Sequence, residues 1–141
     1  MSQLKLAAMI CHSLAIIPMF IGGLIYATRD SYLSYHATAT AYAWQDLAPG
    51  VQVLIQAMLN GAGSLMLLIS IILLILLFIP FRNNERWSFW VIPVMGISTI
   101  LSTIRAALLV ATNTPSNPPW HWLLIIICLF TSGLFLSYKS N

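Results

Sequence analysis

The chain has 141 residues, of which 60% are hydrophobic and only 6% charged, with a formal charge of +3 and a mean hydropathy of +0.89. That balance excludes a soluble domain, because too little polar surface is available to keep one dissolved. Nucleic acid is excluded as a partner as well, since the six Lys and Arg residues are scattered and form no basic run or stripe.

Four apolar stretches follow one another, over about 4–27, 51–79, 89–111 and 120–138. Each is close to the ~20 residues that a helix rising ~1.5 Å per residue needs to cross the hydrocarbon. Their continuous apolar runs predict helices and not the short alternating segments of a membrane barrel. The first stretch is longer than a signal-peptide core and no small-x-small cleavage site follows it, so it reads as a retained anchor. Lys5, Arg82, Arg86 and Lys139 flank the N-terminus, the second connection and the C-terminus, whereas the first connection holds only Arg29 and the third holds no Lys or Arg. The positive-inside rule then puts both termini and the 80–87 connection in the cytoplasm. The expected fold is an all-α membrane protein, a left-handed bundle of four transmembrane helices forming one domain over 1–141 with cytoplasmic N- and C-termini.

Within the first span, His12 shares a face with Met19 and Gly23, and reads as a satisfied helix-contact residue; Pro18 should kink the helix. The connection over 28–50 is long for a helix-to-helix link and carries Arg29, Asp30, Tyr32, Tyr35, His36, Tyr42, Trp44 and Asp46. Small alanines alternate there with Thr38, Thr40, Tyr42 and Trp44, a period that suits a strand. A lone strand at a bilayer surface has no ladder partner, so a short interfacial helix or an irregular lid anchored by Tyr42 and Trp44 is expected.

In the second span Gln52, Gln56 and Asn60 recur every fourth residue, and Gly63 and Ser70 continue that face. Pro49 and Gly50 mark the turn into it. The third span carries the lone charge Arg105 on a face shared with Ser98, Ser102 and Thr112, about seven residues or roughly 10 Å from its outer end; Pro93 should kink this helix. A guanidinium keeps its charge, so it must find partners or reach for water. Two polar stripes at matched depth on consecutive antiparallel helices are expected to pair, with Asp30 or Asp46 supplying the countercharge. The candidate ligand-binding set is therefore Arg105, Gln52, Gln56, Asn60, Asp30 and Asp46, in a pocket open to the outer side. Two readings of it stay open: a knot that locks helix register, and a site for something anionic or carbonyl-bearing.

His36 and His121, with Asp30 or Asp46, are the only combination that invites a metal, against the plainer reading of interfacial histidines bonded to water or headgroups. Cys11 and Cys128 lie inside spans and form no CxxC, which suits packing and not redox chemistry. No nucleophile elbow, phosphate loop or dinucleotide fingerprint is present, and no cofactor is implied. No span carries a carboxylate, which speaks against a small multidrug antiporter. Gly22, Gly23, Gly61, Gly63 and Gly133 read as close-packing positions.

Several short motifs, Tyr35-His36, Trp44 with Asp46-Leu47, Pro49-Gly50-Val51-Gln52, Pro80-Phe81-Arg82, Glu85-Arg86-Trp87 and Pro118-Pro119-Trp120, resemble the pattern of small four-span bacterial inner-membrane proteins that have no assigned activity. The resemblance implies the topology and a multi-pass place in a bacterial inner (plasma) membrane, and nothing about mechanism. The function expected is non-enzymatic: an accessory protein that binds membrane lipids or another membrane subunit through the pocket around Arg105. The alternative is a small oligomeric transporter or channel for an anion or amphiphile, with Arg105 as its selectivity charge. An outer-face enzyme would need His36 or His121 to converge with Asp30 or Asp46.

Overall fold

A computed structural model describes residues 2–139. Five α-helices follow in order: α1 (Gln3–Thr28), α2 (Ser34–Thr40), α3 (Pro49–Leu76), α4 (Ser88–Asn113) and α5 (Trp120–Lys139). A single 3-10 turn, Trp44–Asp46, sits between α2 and α3, and a π-turn, Leu77–Phe81, prolongs α3. Among the described residues four helical segments are long and apolar enough to cross a membrane: Gln3–Thr28, Pro49–Phe81, Ser88–Asn113 and Trp120–Lys139.

Local chemistry accounts for the boundaries. Ser2 caps α1 by accepting from the Lys5 amide at 3.2 Å. Pro49 opens α3 at a position where its missing amide proton costs nothing. The second span runs further than its apolar composition suggests, because the helix widens into the π-turn and continues through Pro80. An i to i+5 turn tolerates an imino nitrogen that an α-turn would leave as a break. Likewise α1 and α4 run on through Pro18 and Pro93.

In lipid there is no hydrophobic force between helices, so close packing decides which of them touch. α1 packs most extensively on α3 and α5, and α4 packs on α5, while α3 and α4 meet far less. The α1–α3 seam depends on two glycines. A Cβ on Gly63 would lie 2.3 Å from the Ala27 nitrogen, and one on Gly23 would lie 2.7 Å from the Leu67 nitrogen. α4 is drawn to α5 in the same way, with the Phe130 ring 2.3 Å from where a Gly96 Cβ would be. Ile16, Met19, Leu73, Leu77, Phe81, Ile92 and Phe130 form the buried core among these helices.

At the end that carries both termini, Lys5 is buried and its ammonium donates to the Arg82 carbonyl at 2.9 Å and to the Asn84 side chain. This ties the start of α1 to the 82–87 link, where Asn84 takes a left-handed backbone, φ 64°. His12 is a helix-contact residue, as its place on α1 suggests, but it is not satisfied. It is fully buried, and neither ring nitrogen has a hydrogen-bond partner among the described residues. It lies edge-on to Phe81 at 5.7 Å and tilted against Phe130 at 5.9 Å.

Candidate functional site

The polar stripe of α3 faces α1 and the connection above it, not α4. Gln52 donates to the Trp44 carbonyl at 2.6 Å, pinning the 3-10 turn to the start of α3. Asn60 presents its amide nitrogen to the carbonyls of Tyr26 at 3.0 Å and Arg29 at 3.2 Å. These are carbonyls that the end of α1 would otherwise leave without a donor. Gln56, between them, is half-buried and makes no hydrogen bond among the described residues. The reason for this direction is the shared face: Gly63 continues the Gln52, Gln56 and Asn60 row, and its close approach to Tyr26 and Ala27 commits the row to α1.

Arg105 lies elsewhere. It is exposed on α4, and its guanidinium makes no hydrogen bond or ion pair among the described residues. Asp30 and Asp46 are both exposed in the connection and neither pairs with it. The structure therefore does not assemble the sequence-predicted pocket around Arg105. The glycine seam holds α3 on α1, Phe130 holds α4 on α5, and the two stripes stay apart.

What that separation leaves is a cleft of about 650 Å³ between α3 and α4. Ligand pockets commonly measure ~300–1,000 Å³, so there is room for a substantial molecule. Leu59, Ala62, Met66 and Ile69 line it from α3, and Ser98, Thr99, Ser102, Thr103, Ala106 and Val110 from α4. It stays open along the flank of the bundle, where Ala62, Leu65, Ser98, Ser102 and Ala106 remain exposed. No charged side chain lines it. Three of the α4 hydroxyls that line it are quiet as donors: Thr99 gives its proton to Met95 O at 2.9 Å, Ser102 to Ser98 O at 3.0 Å, and Thr103 to Thr99 O at 3.0 Å, while the Ser98 hydroxyl makes no hydrogen bond among the described residues. Each of those three oxygens keeps acceptor capacity toward the cleft with its proton already placed.

Tyr26, Tyr35, His36 and Pro118 close the end of the cleft away from the termini. Three of these come from a small polar assembly built on α2. The Ser116 hydroxyl donates to Tyr35 O at 2.6 Å, which fastens α2 to the α4–α5 connection. The phenols of Tyr26 and Tyr35 are hydrogen-bonded to each other, and Tyr32 donates to the Tyr42 carbonyl. His36 accepts the Leu33 amide proton on Nδ1 at 3.1 Å, and its ring lies 4.1 Å from that of Tyr35. Burial, aided by the Arg29 charge, pulls the imidazole of His36 below its ordinary range. Burial and then the Tyr26 hydrogen bond push the Tyr35 phenol above its own. Both groups are neutral near pH 7, and with Nδ1 occupied the His36 proton sits on Nε2.

The connection that the sequence suggested would be a short interfacial helix or lid contains that helix, α2, with Tyr42 exposed beyond it. His121 is exposed at the start of α5 between Trp120 and Trp122. Among the described residues no group of three or more His, Cys, Asp or Glu side chains is placed to share a metal ion, so His36 and His121 are not gathered with Asp30 or Asp46 into such a site. Cys11 and Cys128 are free thiols.

The cleft was missed by a reading that followed charge. Its signal was present as a row of small and hydroxyl residues at helical spacing, Thr99, Thr103, Ala106 and Val110, opposite Ala62 and Met66. Comparison of the chain with protein-family models, with curated proteins and with solved structures gives no match, so the resemblance carried by the short motifs identifies no family, and what stands is an all-α chain in which four of the described helices are long and apolar enough to cross a membrane.

Proposed function

We propose that this protein is a non-enzymatic integral membrane protein that binds a membrane lipid or similar amphiphile, with the tail between α3 and α4 and the head beneath α2. The observation that carries the reading is the cleft itself, about 650 Å³, free of charged side chains, open on the flank of helices that match a bilayer in length, with its tyrosines and histidine gathered at one end. An amphiphile has that same asymmetry. Lys5, Arg82, Arg86 and Lys139 all lie at the opposite end from α2, which supports cytoplasmic termini and a cleft in the outer leaflet of a bacterial inner membrane.

Native mass spectrometry of protein released gently from its own membrane tests this, with Ala106→Phe as the comparison, because a phenyl ring there fills the middle of the cleft. Wild-type chains should retain a lipid that the variant has lost, with equal amounts of folded protein in the membrane. Wild-type chains that are bare under the same conditions contradict the reading.

Arg105 supports a second, compatible role. Its guanidinium stands exposed on α4 without a partner among the described residues, so another membrane subunit carrying an acceptor would fit there. Cross-linking from a photoreactive residue placed at Leu109, beside it on the helix, should capture that subunit in membranes. Capture of lipid alone removes the role.

A further inference from the structure

The head end of the cleft also specifies what kind of lipid it takes, an inference that rests on the lipid-binding reading. Donors there are few and neutral. Leu33 occupies Nδ1 of His36, which leaves Nε2–H as the free donor of a ring that lines the cleft. Tyr26 and Tyr35 share one hydrogen bond between two phenols, so one of their two O–H protons stays uncommitted among the described residues. Deeper along α4 the hydroxyl groups of Thr99, Ser102 and Thr103 have already committed their protons and offer only acceptors, which leaves Ser98, at the far end of the wall, as a single neutral O–H. No Lys or Arg lines the space. Arg29 is the nearest cation in the connection, but its Nε is engaged with the Ser31 carbonyl at 3.2 Å and its side chain is not part of the lining.

A phosphate placed against this lining would lose its water and meet no cation in the lining itself, and that is a severe cost for an anion. An ester, ketone or amide oxygen has the opposite balance, since one or two neutral N–H or O–H donors satisfy it completely. We infer that the cleft selects an uncharged lipid whose head presents a hydrogen-bond acceptor oxygen to His36 Nε2–H and the Tyr26–Tyr35 pair, and that it rejects phospholipids. From Ser98 to Val110 the α4 wall is about 18 Å long at ~1.5 Å per residue, which leaves most of such a molecule's acyl chain against the helix.

Two probes with the same tail separate the head's contribution from the tail's: 1-oleoylglycerol and oleoyl lysophosphatidylglycerol, titrated into full-length protein in nanodiscs and read by native mass spectrometry. The neutral lipid should bind at least about tenfold more tightly. His36→Phe should weaken it about fivefold, the size of one neutral hydrogen bond, and leave the lysophospholipid unchanged. Because that substitution also removes the acceptor for the Leu33 amide, Tyr35→Phe serves as a second variant that keeps His36 in place, and it should erode the same preference. Equal or better binding of the lysophospholipid overturns the inference while the cleft remains a lipid site. Binding of neither probe, or a dimer in which a second copy fills the cleft, overturns both.

Discussion

α3 lies between two other spans in the sequence, α1 and α4, and treats them oppositely. Against α1 it closes until backbone meets backbone, at Gly63 over Tyr26 and Ala27 and at Gly23 over Leu67. Against α4, the span that follows it, it leaves about 650 Å³. Both faces carry small residues, Gly63 on one and Ala62 on the other, so residue size alone does not close a seam between helices. Closure needs a small residue on each side at one level, with nothing pulling the partner away. Gly23 and Gly63 meet that condition. Ala62 and Ala106 do not, because Phe130 seated over Gly96 holds α4 on α5. Where water supplies no drive, such local fits decide the architecture, and the gap they leave becomes the place for a ligand.

The comparison is broken most severely at the closed seam. Gly63→Leu puts a side chain into the backbone of α1, and it should cost about 3 kcal/mol or more and leave little folded protein. Gly61→Leu, two residues away with nothing within 4 Å of its new Cβ, should fold normally. Thermal unfolding of both in detergent checks the pair, and equal loss in the two variants would mean that the seam is not where this structure puts it.

A smaller effect belongs to His12. A Cβ at Gly133 would lie 2.5 Å from His12 Cε1, so Gly133→Ala should destabilise by about 1–3 kcal/mol. His12→Leu should be neutral or stabilising by about 1–2 kcal/mol, since two buried nitrogens without partners among the described residues are replaced by an apolar side chain. Strong destabilisation by His12→Leu in the same unfolding assay would show that those nitrogens have a partner after all.

At the polar end of the cleft the effect is set by pH. The imidazole of His36 lies below its ordinary value of about 6.5 in the folded protein, so the unfolded chain binds the proton more readily. The seat of α2 is therefore fully stable above about pH 6.5 and loosens as the pH falls from there through the lowered folded value. Acid brings a second charge beside Arg29 and under the neutral rings of Tyr26, Tyr32 and Tyr35. Hydrogen exchange of residues 33–40 should quicken between pH 7.5 and 5, and His36→Gln should flatten that dependence. Exchange that does not change with pH would remove His36 from the seat.

Smallest of all is the expected effect of Arg105→Gln. With no partner among the described residues, its loss should change neither the melting temperature nor lipid retention. A fall in lipid retention would return Arg105 to the site and sharpen the comparison against the cleft as drawn.

The four spans were legible because bilayer thickness imposes length and apolarity on any helix that crosses, whatever it later touches. The α3 stripe was legible as a stripe for a similar reason, periodicity. What it would meet was not, because a period fixes which residues share a face and says nothing about the neighbour across from it. Gln52, Gln56 and Asn60 were matched to Arg105 by depth, yet Gln52 and Asn60 serve the connection and the open end of α1. Arg105 itself drew attention as a lone charge, but a long flexible stem on an exposed helix face does not require a shelter inside the protein. The π-turn through Pro80 was hidden because proline reads locally as a stop, and only the burial of Leu77 and Phe81 on either side shows why the helix is held together there. In 37–44 the alternation suits a strand, but the lack of a ladder partner pointed to a short interfacial helix or a lid, and Thr38 and Thr40 turn their hydroxyls back to Ser34 O and His36 O within α2.

The central claim is that a lipid tail enters between α3 and α4. It is tested most directly by a monoacylglycerol carrying a photoreactive diazirine in its chain, irradiated with the protein in nanodiscs and mapped by peptide sequencing. The account predicts adducts on Met66, Ile69, Thr103 and Ala106, which face the cleft, lost in Ala106→Phe. Adducts confined to outward positions such as Val53, Leu101 and Leu109, with the cleft residues unlabelled, would contradict it.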